Sequence, residues 1–244
     1  MKRLREIAMV ALVGLLSILP GTACSTYNVS ITPPASHDDD IRQMYMQMAL
    51  PTVLVRAETG TGTGVVFGNG QYVLTAAHVI TRVEVENDEN GIPKDVLIRE
   101  PAVIFKNESL VPFLSGTELV KVNDDLDLAI LKLARVYPYG SATLATEDPE
   151  LYEKCWVSGH PHGVNDPMIT EGRVQDLWEN GFILYSAPTT FGNSGGPVWM
   201  KRGNKWLVSS VVQRVFVEGF GVAVNHMGLG ALPIRVREFT DGVK

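Results

Sequence analysis

The chain has 244 residues, which is enough for one or two compact domains with a sizeable hydrophobic core. Hydrophobic residues make up 45% and charged residues 20%, a composition typical of globular rather than disordered proteins. The formal net charge of −6 argues against activities that need a basic face, so we expect no nucleic-acid binding and no charge-driven binding to anionic membranes.

Residues 1–23 have the pattern of a targeting segment rather than of a folded element. Lys2, Arg3 and Arg5 form a basic start, and residues 7–19 are an uncharged, mostly apolar run. This run is shorter than the roughly 18 residues that span a bilayer as a helix. It therefore predicts a signal peptide and an exported protein, whether periplasmic, secreted or attached to the cell envelope.

The chain has two cysteines, Cys24 and Cys155. Small residues precede Cys24, which suits cleavage by a signal peptidase. A cysteine at this position also resembles a bacterial lipoprotein site, although Gly21 stands where such sites usually have leucine. Soluble export and lipidation of Cys24 both stay open, and lipidation is the only membrane attachment that we expect. We expect Cys155 to be a small buried apolar residue, and a disulfide between the two cysteines is the less favoured alternative.

The next segment, residues 24–49, is predicted to be a solvated tether. Its composition is rich in polar residues and proline, and residues 41–50 could form a short helix. From Pro51 onward the sequence consists of short β-branched runs separated by turn residues. A hairpin is predicted where residues 65–67 and 72–75 flank the turn Gly68-Asn69-Gly70.

About a dozen such runs follow in two blocks, with no long helical period between them. The first block spans about residues 50–135 and the second about 150–230, with a linker at about 135–150 between them. A short helix is predicted at about 233–240. This pattern predicts an all-β fold of two barrels or sandwiches with a C-terminal helix, in one domain over residues 50–244.

The strongest chemical signal is the segment Gly192-Asn193-Ser194-Gly195-Gly196-Pro197. A serine hydroxyl becomes a nucleophile when a base takes its proton and nearby amides stabilise the resulting oxyanion. Glycines on both sides of the serine allow a sharp loop that points backbone N–H groups at one spot. Ser194 is therefore the candidate nucleophile, and the alternative is an ordinary glycine-rich turn.

His78 follows the predicted hairpin, in the segment Leu74-Thr75-Ala76-Ala77-His78-Val79. A general base that works near neutral pH is most often a histidine. A histidine at the end of a strand is by itself more often structural. The flanking alanines leave room for close packing, and together with the Ser194 motif they favour the general base.

Asp127 directly precedes the apolar run of residues 128–133. Strand alternation places Asp127 on the buried face of this run. A carboxylate at the end of an apolar face needs a polar partner, and a histidine N–H is the expected one. Asp125 shares that face but lies further out, and Asp124 has the opposite parity. The alternative is a solvated run of charges.

The order His78, Asp127, Ser194, with each residue in a β context, resembles the trypsin-like serine proteases, and most of all their bacterial HtrA/Deg branch. The resemblance covers about residues 50–240. Three further segments fit the pattern of that branch, namely residues 157–163, 170–174 and 219–224.

This resemblance implies two perpendicular six-stranded antiparallel β-barrels, with His78 and Asp127 in the first and Ser194 in the second. It also implies a serine endopeptidase that acts on proteins or peptides without a cofactor. The backbone amides of Gly192 and Ser194 would form the oxyanion hole. Asn193 stands where digestive members have the aspartate that pairs with a newly cut N-terminus, so we do not expect that activation. No PDZ domain precedes Lys244, so the resemblance does not extend to PDZ-type regulation or to the trimer of that branch, and the oligomeric state stays open.

By the same resemblance, two segments wall the pocket for the residue before the scissile bond. One contains Pro188 and Thr189, and the other contains Val208, Ser209 and Ser210. Neither segment contains an acid, so a buried lysine or arginine side chain would lack a partner. We therefore predict cleavage after small or medium aliphatic residues, unless an acid from elsewhere, such as Glu218, reaches the pocket.

The sequence also admits three other interpretations. The Gly-x-Ser-x-Gly pattern also matches the nucleophile elbow of α/β-hydrolases, with Glu218 and His226 as partners, but Pro197 favours a strand over the helix that this elbow requires. A catalytically silent, surface-tethered binding protein on the same scaffold is the alternative from a different class, and the presence of all three triad residues favours the enzyme. His160 and His162 could suggest a metal, but they flank a proline without a third ligand motif, so we expect a turn and no metal site.

Overall fold

The computed structural model describes residues 39–58, 60–106, 113–178, 181–218 and 222–243. The predictions for residues 1–23 and for Cys24 lie outside these residues, as does the start of the segment 219–224. The first half of the described chain contains α1 (Asp39–Met44), a π-helical turn (Tyr45–Ala49), β1 (Thr52–Arg56), β2 (Thr61–Phe67), β3 (Tyr72–Thr75), a 3-10 turn (Ala77–Ile80), β4 (Thr81–Asn87), β5 (Pro93–Arg99), β6 (Val103–Lys106), β7 (Phe113–Asn123) and β8 (Leu128–Leu133). The second half contains β9 (Thr143–Leu144), β10 (Lys154–Gly159), a 3-10 turn (Pro161–Gly163), β11 (Met168–Trp178), β12 (Phe182–Tyr185), β13 (Pro197–Arg202), β14 (Lys205–Glu218), β15 (Val222–Ala231) and α2 (Pro233–Thr240).

The first barrel is closed and six-stranded, with the order β1-β2-β3-β8-β7-β6 and antiparallel pairing throughout. Its strands are rich in β-branched residues, which suit a pleated and half-buried surface. Their inward faces form one core cluster, to which Val53, Val66, Val73, Ile104 and Leu131 contribute fully or almost fully buried side chains.

The second barrel is formed by β10 to β15 and closes through the pairing of β13 with β14. The short strand β9 adds to its outside, parallel to β14. The predicted two-barrel, all-β fold and its C-terminal helix are confirmed. Cys155 is fully buried in the core of this barrel, as expected of a small apolar residue, and burial raises the pKa of its thiol to about 12.

The segment Asp39–Ala49 is helical, in line with the short helix expected at residues 41–50. Its first part, Asp39–Met44, has no buried residue, whereas Met48 and Ala49 are buried, so the end of the segment is not a solvated tether. Met44 and Met48 are one helical turn apart, and both pack on the core cluster that contains Trp206, with Met48 fully buried. The Gln47 side-chain oxygen accepts a hydrogen bond from the Trp206 backbone N–H at 3.0 Å. Among the described residues, no helix has the length and apolar character of a membrane span.

Strands β4 and β5 form a separate two-stranded hairpin, which we call the arm (residues 81–99). Within the described residues, its strands pair only with each other. The arm begins directly after the 3-10 turn that contains His78. It therefore stands beside the end of the first barrel where that histidine lies.

Candidate active site

His78 and Asp127 are brought together by the pairing of β3 with β8. Thr75 lies opposite Ala129 in this ladder, so the residues just beyond the two strand ends meet. Asp127 binds His78 twice, because the imidazole Nδ1 lies 2.7 Å from Oδ2 and the backbone N–H donates to Oδ1 at 2.9 Å. The His78 side chain is 47% exposed and that of Asp127 13%, so the imidazole reaches solvent while the carboxylate is largely covered.

The backbone conformation of Asp127 differs from the strand geometry used to predict it. Its φ is +48°, in the left-handed region, and it ends the turn that precedes β8. The turn is held by hydrogen bonds from Asp127 N–H to Asp124 O and from Ala77 N–H to Asp127 O, each 3.2 Å. Aspartate tolerates this conformation better than most residues. The contact with His78 therefore depends on the turn and not on strand parity.

Four consecutive carbonyls of the Ser194 loop accept hydrogen bonds from within the protein. Donor first, the bonds are His162 N to Phe191 O at 2.8 Å, Thr63 Oγ1 to Gly192 O at 2.7 Å, Gly196 N to Asn193 O at 2.8 Å and Thr63 N to Ser194 O at 2.7 Å. The C=O and N–H of a trans peptide point in opposite directions. The Gly192 N–H shares a peptide with the Phe191 carbonyl, and the Ser194 N–H shares one with the Asn193 carbonyl. Both N–H groups therefore point away from the donors that hold these carbonyls, and within the described residues neither has a backbone acceptor.

The glycines of this loop are required by its conformation and by its close packing. Gly192 and Gly195 have φ values of +94° and +82°, which side chains rarely adopt. A Cβ atom at Gly192 would lie 2.5 Å from the His160 carbonyl oxygen and from the His162 nitrogen. The glycine-rich motif therefore forms the sharp loop that the sequence predicts.

Ser194 and His78 line the same cavity, which has a volume of about 360 Å³. Its other lining residues are Thr190, Phe191, Val212, Gln213, Arg214 and Val215. Within the described residues, the Ser194 hydroxyl makes no hydrogen bond. The bond from a nucleophile to its base is often long without substrate and tightens in the complex, so this arrangement is compatible with nucleophile and base.

The predicted pocket residues do not line this cavity. Pro188 and Thr189 line a second cavity, of about 290 Å³, together with His162 and Asn193. The Thr189 side chain is buried, and its hydroxyl donates to Ala187 O at 2.9 Å.

Val208, Ser209 and Ser210 are also buried elsewhere, at the pairing of β14 with β13. The two serine hydroxyls donate to the carbonyls of Val198 and Ala231. The part of β14 that reaches Ser194 begins about four residues later, at Val212. There, Gly195 N–H donates to Val212 O at 2.7 Å and Val212 N–H donates to Gly196 O at 2.8 Å.

His160 and His162 belong to the turn that supports the Ser194 loop. His160 is fully buried, and its Nδ1 lies 2.9 Å from the Val164 carbonyl oxygen. Burial lowers the pKa of His160 to about 4, so the ring is neutral at physiological pH. Among the described residues, no group of three or more His, Cys, Asp and Glu side chains has the arrangement of a metal site.

Sequence reasoning missed Thr63, which holds two carbonyls of the Ser194 loop. A signal was present, because glycines stand on both sides of Thr63. A Cβ atom at Gly62 would lie 2.9 Å from the Ser194 carbonyl oxygen, so Gly62 allows β2 to approach the loop. The α/β-hydrolase alternative is contradicted, since Ser194 leads into strand β13 instead of a helix.

Comparisons with known proteins agree with this geometry. Residues 62–206 match the model of the trypsin-like peptidase domain family, and no curated protein matches the chain. Among solved structures, a serine endoprotease from Yersinia pestis has a TM-score of 0.60 and 20% identity over 80% of this chain, but only 63% of that chain is covered.

Two other solved structures are covered more fully. The Rv3671c protease from M. tuberculosis in its active form has a TM-score of 0.60 and 18% identity, with 79% of this chain and 80% of that chain covered. Deg5 has a TM-score of 0.59 and 19% identity, with 82% of this chain and 91% of that chain covered. At such identities the solved structures show only that the fold is shared. The family is shown by the family model, which matches more than half of the 244 residues. The chain therefore belongs to the trypsin-like peptidase family and is a serine endopeptidase.

Proposed function

We propose that this endopeptidase works by acyl transfer, with Ser194 as nucleophile, His78 as general base and Asp127 as the group that orients the imidazole. The observation that carries the proposal is the double contact of Asp127 with His78. An ionised carboxylate only accepts hydrogen bonds, so Nδ1 carries the hydrogen in this contact. Nε2 is then free to accept the serine proton.

In the first step, His78 Nε2 takes the Ser194 proton while Oγ attacks the carbonyl carbon of the scissile bond. The imidazolium then gives this proton to the leaving nitrogen, the C–N bond breaks, and an acyl-enzyme and a free amine result. Water attacks the acyl-enzyme in the same manner, with His78 first accepting and then returning a proton. The products are a carboxylic acid and the regenerated serine.

The N–H groups of Gly192 and Ser194 are proposed to bind the oxyanion of the tetrahedral intermediate. The support is that the carbonyl of each of these two peptides is held on its other side, by His162 N–H and by Gly196 N–H. Donors fixed before the reaction need no reorganisation when charge develops, which makes them effective in catalysis.

The preferred residue before the scissile bond is proposed to be small or medium and aliphatic. The cavity beside Ser194 has apolar walls at Val212 and Val215 and no acid among its lining residues. The Arg214 guanidinium would also repel a basic side chain. Cleavage-site profiling of a proteome-derived peptide library should return valine, alanine or leucine at this position. A profile dominated by lysine and arginine would contradict the proposal and point to an acid such as Glu218, whose side chain lies outside the described residues.

Ser194→Ala tests the catalytic proposal directly. We expect a folded variant with nearly all casein turnover lost and no labelling by a fluorophosphonate, because both need an activated hydroxyl. A thermal melt close to that of the wild type is the control for folding. Undiminished turnover by a contaminant-free variant would remove Ser194 from the mechanism, and absence of labelling in the wild type would favour a silent binding protein.

The basic and apolar pattern of residues 1–23 is the basis for proposing that the protein is exported. Its protein or peptide substrates would then lie outside the cytoplasm. Cell fractionation of the full chain, compared with a chain that starts at Cys24, tests this. Incorporation of labelled palmitate that is lost in Cys24→Ser would identify the lipoprotein form. Its absence from exported wild-type protein would leave soluble export.

A further inference from the structure

The arm presents an apolar surface that the fold itself does not cover. Val83 and Leu97 lie opposite each other in the β4–β5 ladder, and their exposed fractions are 59% and 48%. Val85 follows on the same face and is 68% exposed. Single exposed apolar residues are common, but three on one face of a two-stranded sheet form a patch that suits binding.

This patch is continuous with the candidate active site. Val83 and Leu97 line a groove of about 470 Å³. The other residues of the groove are His78, Thr81, Asp124, Asp127, Gln213 and Arg214. Three of them, His78, Gln213 and Arg214, also line the cavity beside Ser194. A chain bound at Ser194 can therefore continue into the groove without leaving the protein surface.

The root of the arm is held in place by Arg99. Its guanidinium donates to both carboxylate oxygens of Asp124 at 2.5 Å and also to the Thr81 hydroxyl. The Glu100 N–H donates to Ile80 O at 2.9 Å, which closes the base of the hairpin. Asp124 belongs to the turn that carries Asp127, so the arm has a fixed position relative to the His78–Asp127 pair.

We propose that the arm is a recognition surface for the substrate polypeptide, which binds there through apolar side chains of an extended segment that precedes the scissile bond. This inference rests on the proposed function. The cavity for the residue before the scissile bond and the groove share Gln213 and Arg214. In this proposal, the residues further towards the substrate N-terminus occupy the groove.

The chemistry of the arm defines the segment that it would select. An extended chain shows alternate side chains to one surface, so apolar residues at alternate positions would meet Val83, Leu97 and Val85. Residues 81–99 contain five acids (Glu84, Glu86, Asp88, Glu89, Asp95) and three bases (Arg82, Lys94, Arg99), which gives a net charge of −2. The arm therefore disfavours acidic segments and accepts neutral or basic ones.

The test compares two quenched-fluorescence peptides with the same scissile bond and the same length. One has valine and leucine at alternate positions upstream of the bond, and the other has serine there. We expect the wild type to favour the apolar peptide by about tenfold in kcat/KM, and the double variant Val83→Ser/Leu97→Ser to lose this preference, because half-exposed apolar side chains become covered in the complex. The matched control is Leu114→Ser, a 58% exposed leucine on β7 that should keep the preference.

An unchanged preference in the double variant would overturn the proposal. The proposal would also be overturned if sedimentation showed that the patch joins two copies of this chain and if the peptide preference did not depend on the patch. Binding of both peptides to Ser194→Ala, measured by fluorescence anisotropy, separates this inference from the proposed function. If the wild type is inactive but peptide binding depends on the arm, the inference about the arm stands and the proposed catalytic function is rejected. If the wild type is active but neither binding nor activity depends on the arm, the catalytic function stands and the inference about the arm is rejected.

Discussion

Thr63 on β2 links the two barrels at the nucleophile loop. Its N–H donates to Ser194 O and its hydroxyl donates to Gly192 O, both at 2.7 Å. The same hydroxyl accepts the His160 N–H at 2.9 Å, and the Thr63 carbonyl accepts the Thr75 hydroxyl at 2.7 Å. The side chain is fully buried and adjoins the loop without entering the cleft, so Thr63 acts as a positioning residue.

Thr63→Val should lower kcat by roughly 10- to 100-fold with little change in KM, since loss of one oxyanion donor costs about 10²–10³ and a misoriented loop costs less. Valine has nearly the same shape but cannot bind the Gly192 carbonyl. Thr63→Ser retains the hydroxyl and should recover most of kcat. Steady-state kinetics and thermal melts of both variants provide the check. A loss in Thr63→Ser without a loss in Thr63→Val would show that the methyl group, and not the hydroxyl, is what matters.

Asp127→Asn should lower kcat by on the order of 10³–10⁴ with the fold intact, because an amide can donate to Nδ1 and stabilise the wrong imidazole tautomer. Asp125→Asn is the matched control, since Asp125 is an exposed acid two residues earlier and should leave kcat nearly unchanged. Single-turnover kinetics on one peptide would compare them. Similar kcat values for the two variants would exclude Asp127 as the orienting group.

At the level of elements, the N-terminal helical segment is part of the core. Met48 is fully buried, whereas Met46 is 48% exposed on the same segment. Met48→Ala should lower the free energy of unfolding by about 2–5 kcal/mol through lost burial and a remaining cavity. Met46→Ala should stay within about 0.5 kcal/mol of the wild type. Urea unfolding of both variants measures the difference, and equal effects would show that the segment is not docked in solution.

The same segment illustrates where sequence patterns stop being informative. Apolar runs with turn residues between them predict the β2–β3 hairpin and the two-barrel fold, because alternation and turn chemistry are local properties. The packing of Met48 in the core cluster that contains Trp206 brings together residues far apart in sequence, which no local pattern encodes. The polar composition around it therefore predicts a tether, although Met48 is buried.

The candidate site shows the same difference between what local sequence patterns predict and what depends on contacts between distant residues. The Ser194, His78 and Asp127 motifs identify the three residues that surround the cleft, since chemistry restricts the residue types. Which part of β14 walls the cavity depends on its register with β13, which shifts between Val198 and Trp199. A bulge of this kind moves every later residue along the strand. The bulge accounts for a shift of one residue. The rest of the difference comes from the contact of Val212 with Gly195 and Gly196, which no local pattern encodes.

For the whole molecule, the relative position of the two barrels decides whether the site is complete, because His78 and Asp127 belong to one barrel and Ser194 to the other. Buried hydroxyls contribute to this interface. The Thr52 and Ser158 hydroxyl oxygens are 2.6 Å apart, and the Trp199 indole N–H donates to the Ser158 hydroxyl at 2.8 Å. Fully bonded polar groups of this kind favour one arrangement over others that leave them unpaired.

His160 adds a pH dependence to this interface. Its backbone N–H donates to the Thr63 hydroxyl, so it lies between the barrels. Burial, followed by the nearby Lys106 ammonium, lowers its pKa to about 4, while the Val164 carbonyl partly opposes the shift. In the unfolded chain a histidine titrates near its ordinary value of about 6.5. Between these two values the unfolded state binds a proton that the folded state does not.

The free energy of unfolding should therefore include a contribution from His160 that is fully present above about pH 6.5 and is lost as the pH falls towards 4. Each pKa unit corresponds to about 1.4 kcal/mol, so acidification from pH 7.5 to 4.5 should cost the wild type roughly 2 kcal/mol more than His160→Asn. Asparagine cannot take up a proton but can still donate to the Val164 carbonyl. Urea unfolding of both proteins at several pH values gives the comparison, which cancels the titration of all other groups. Parallel stability curves for the two proteins would show that His160 is solvated and already titrates normally in the folded state.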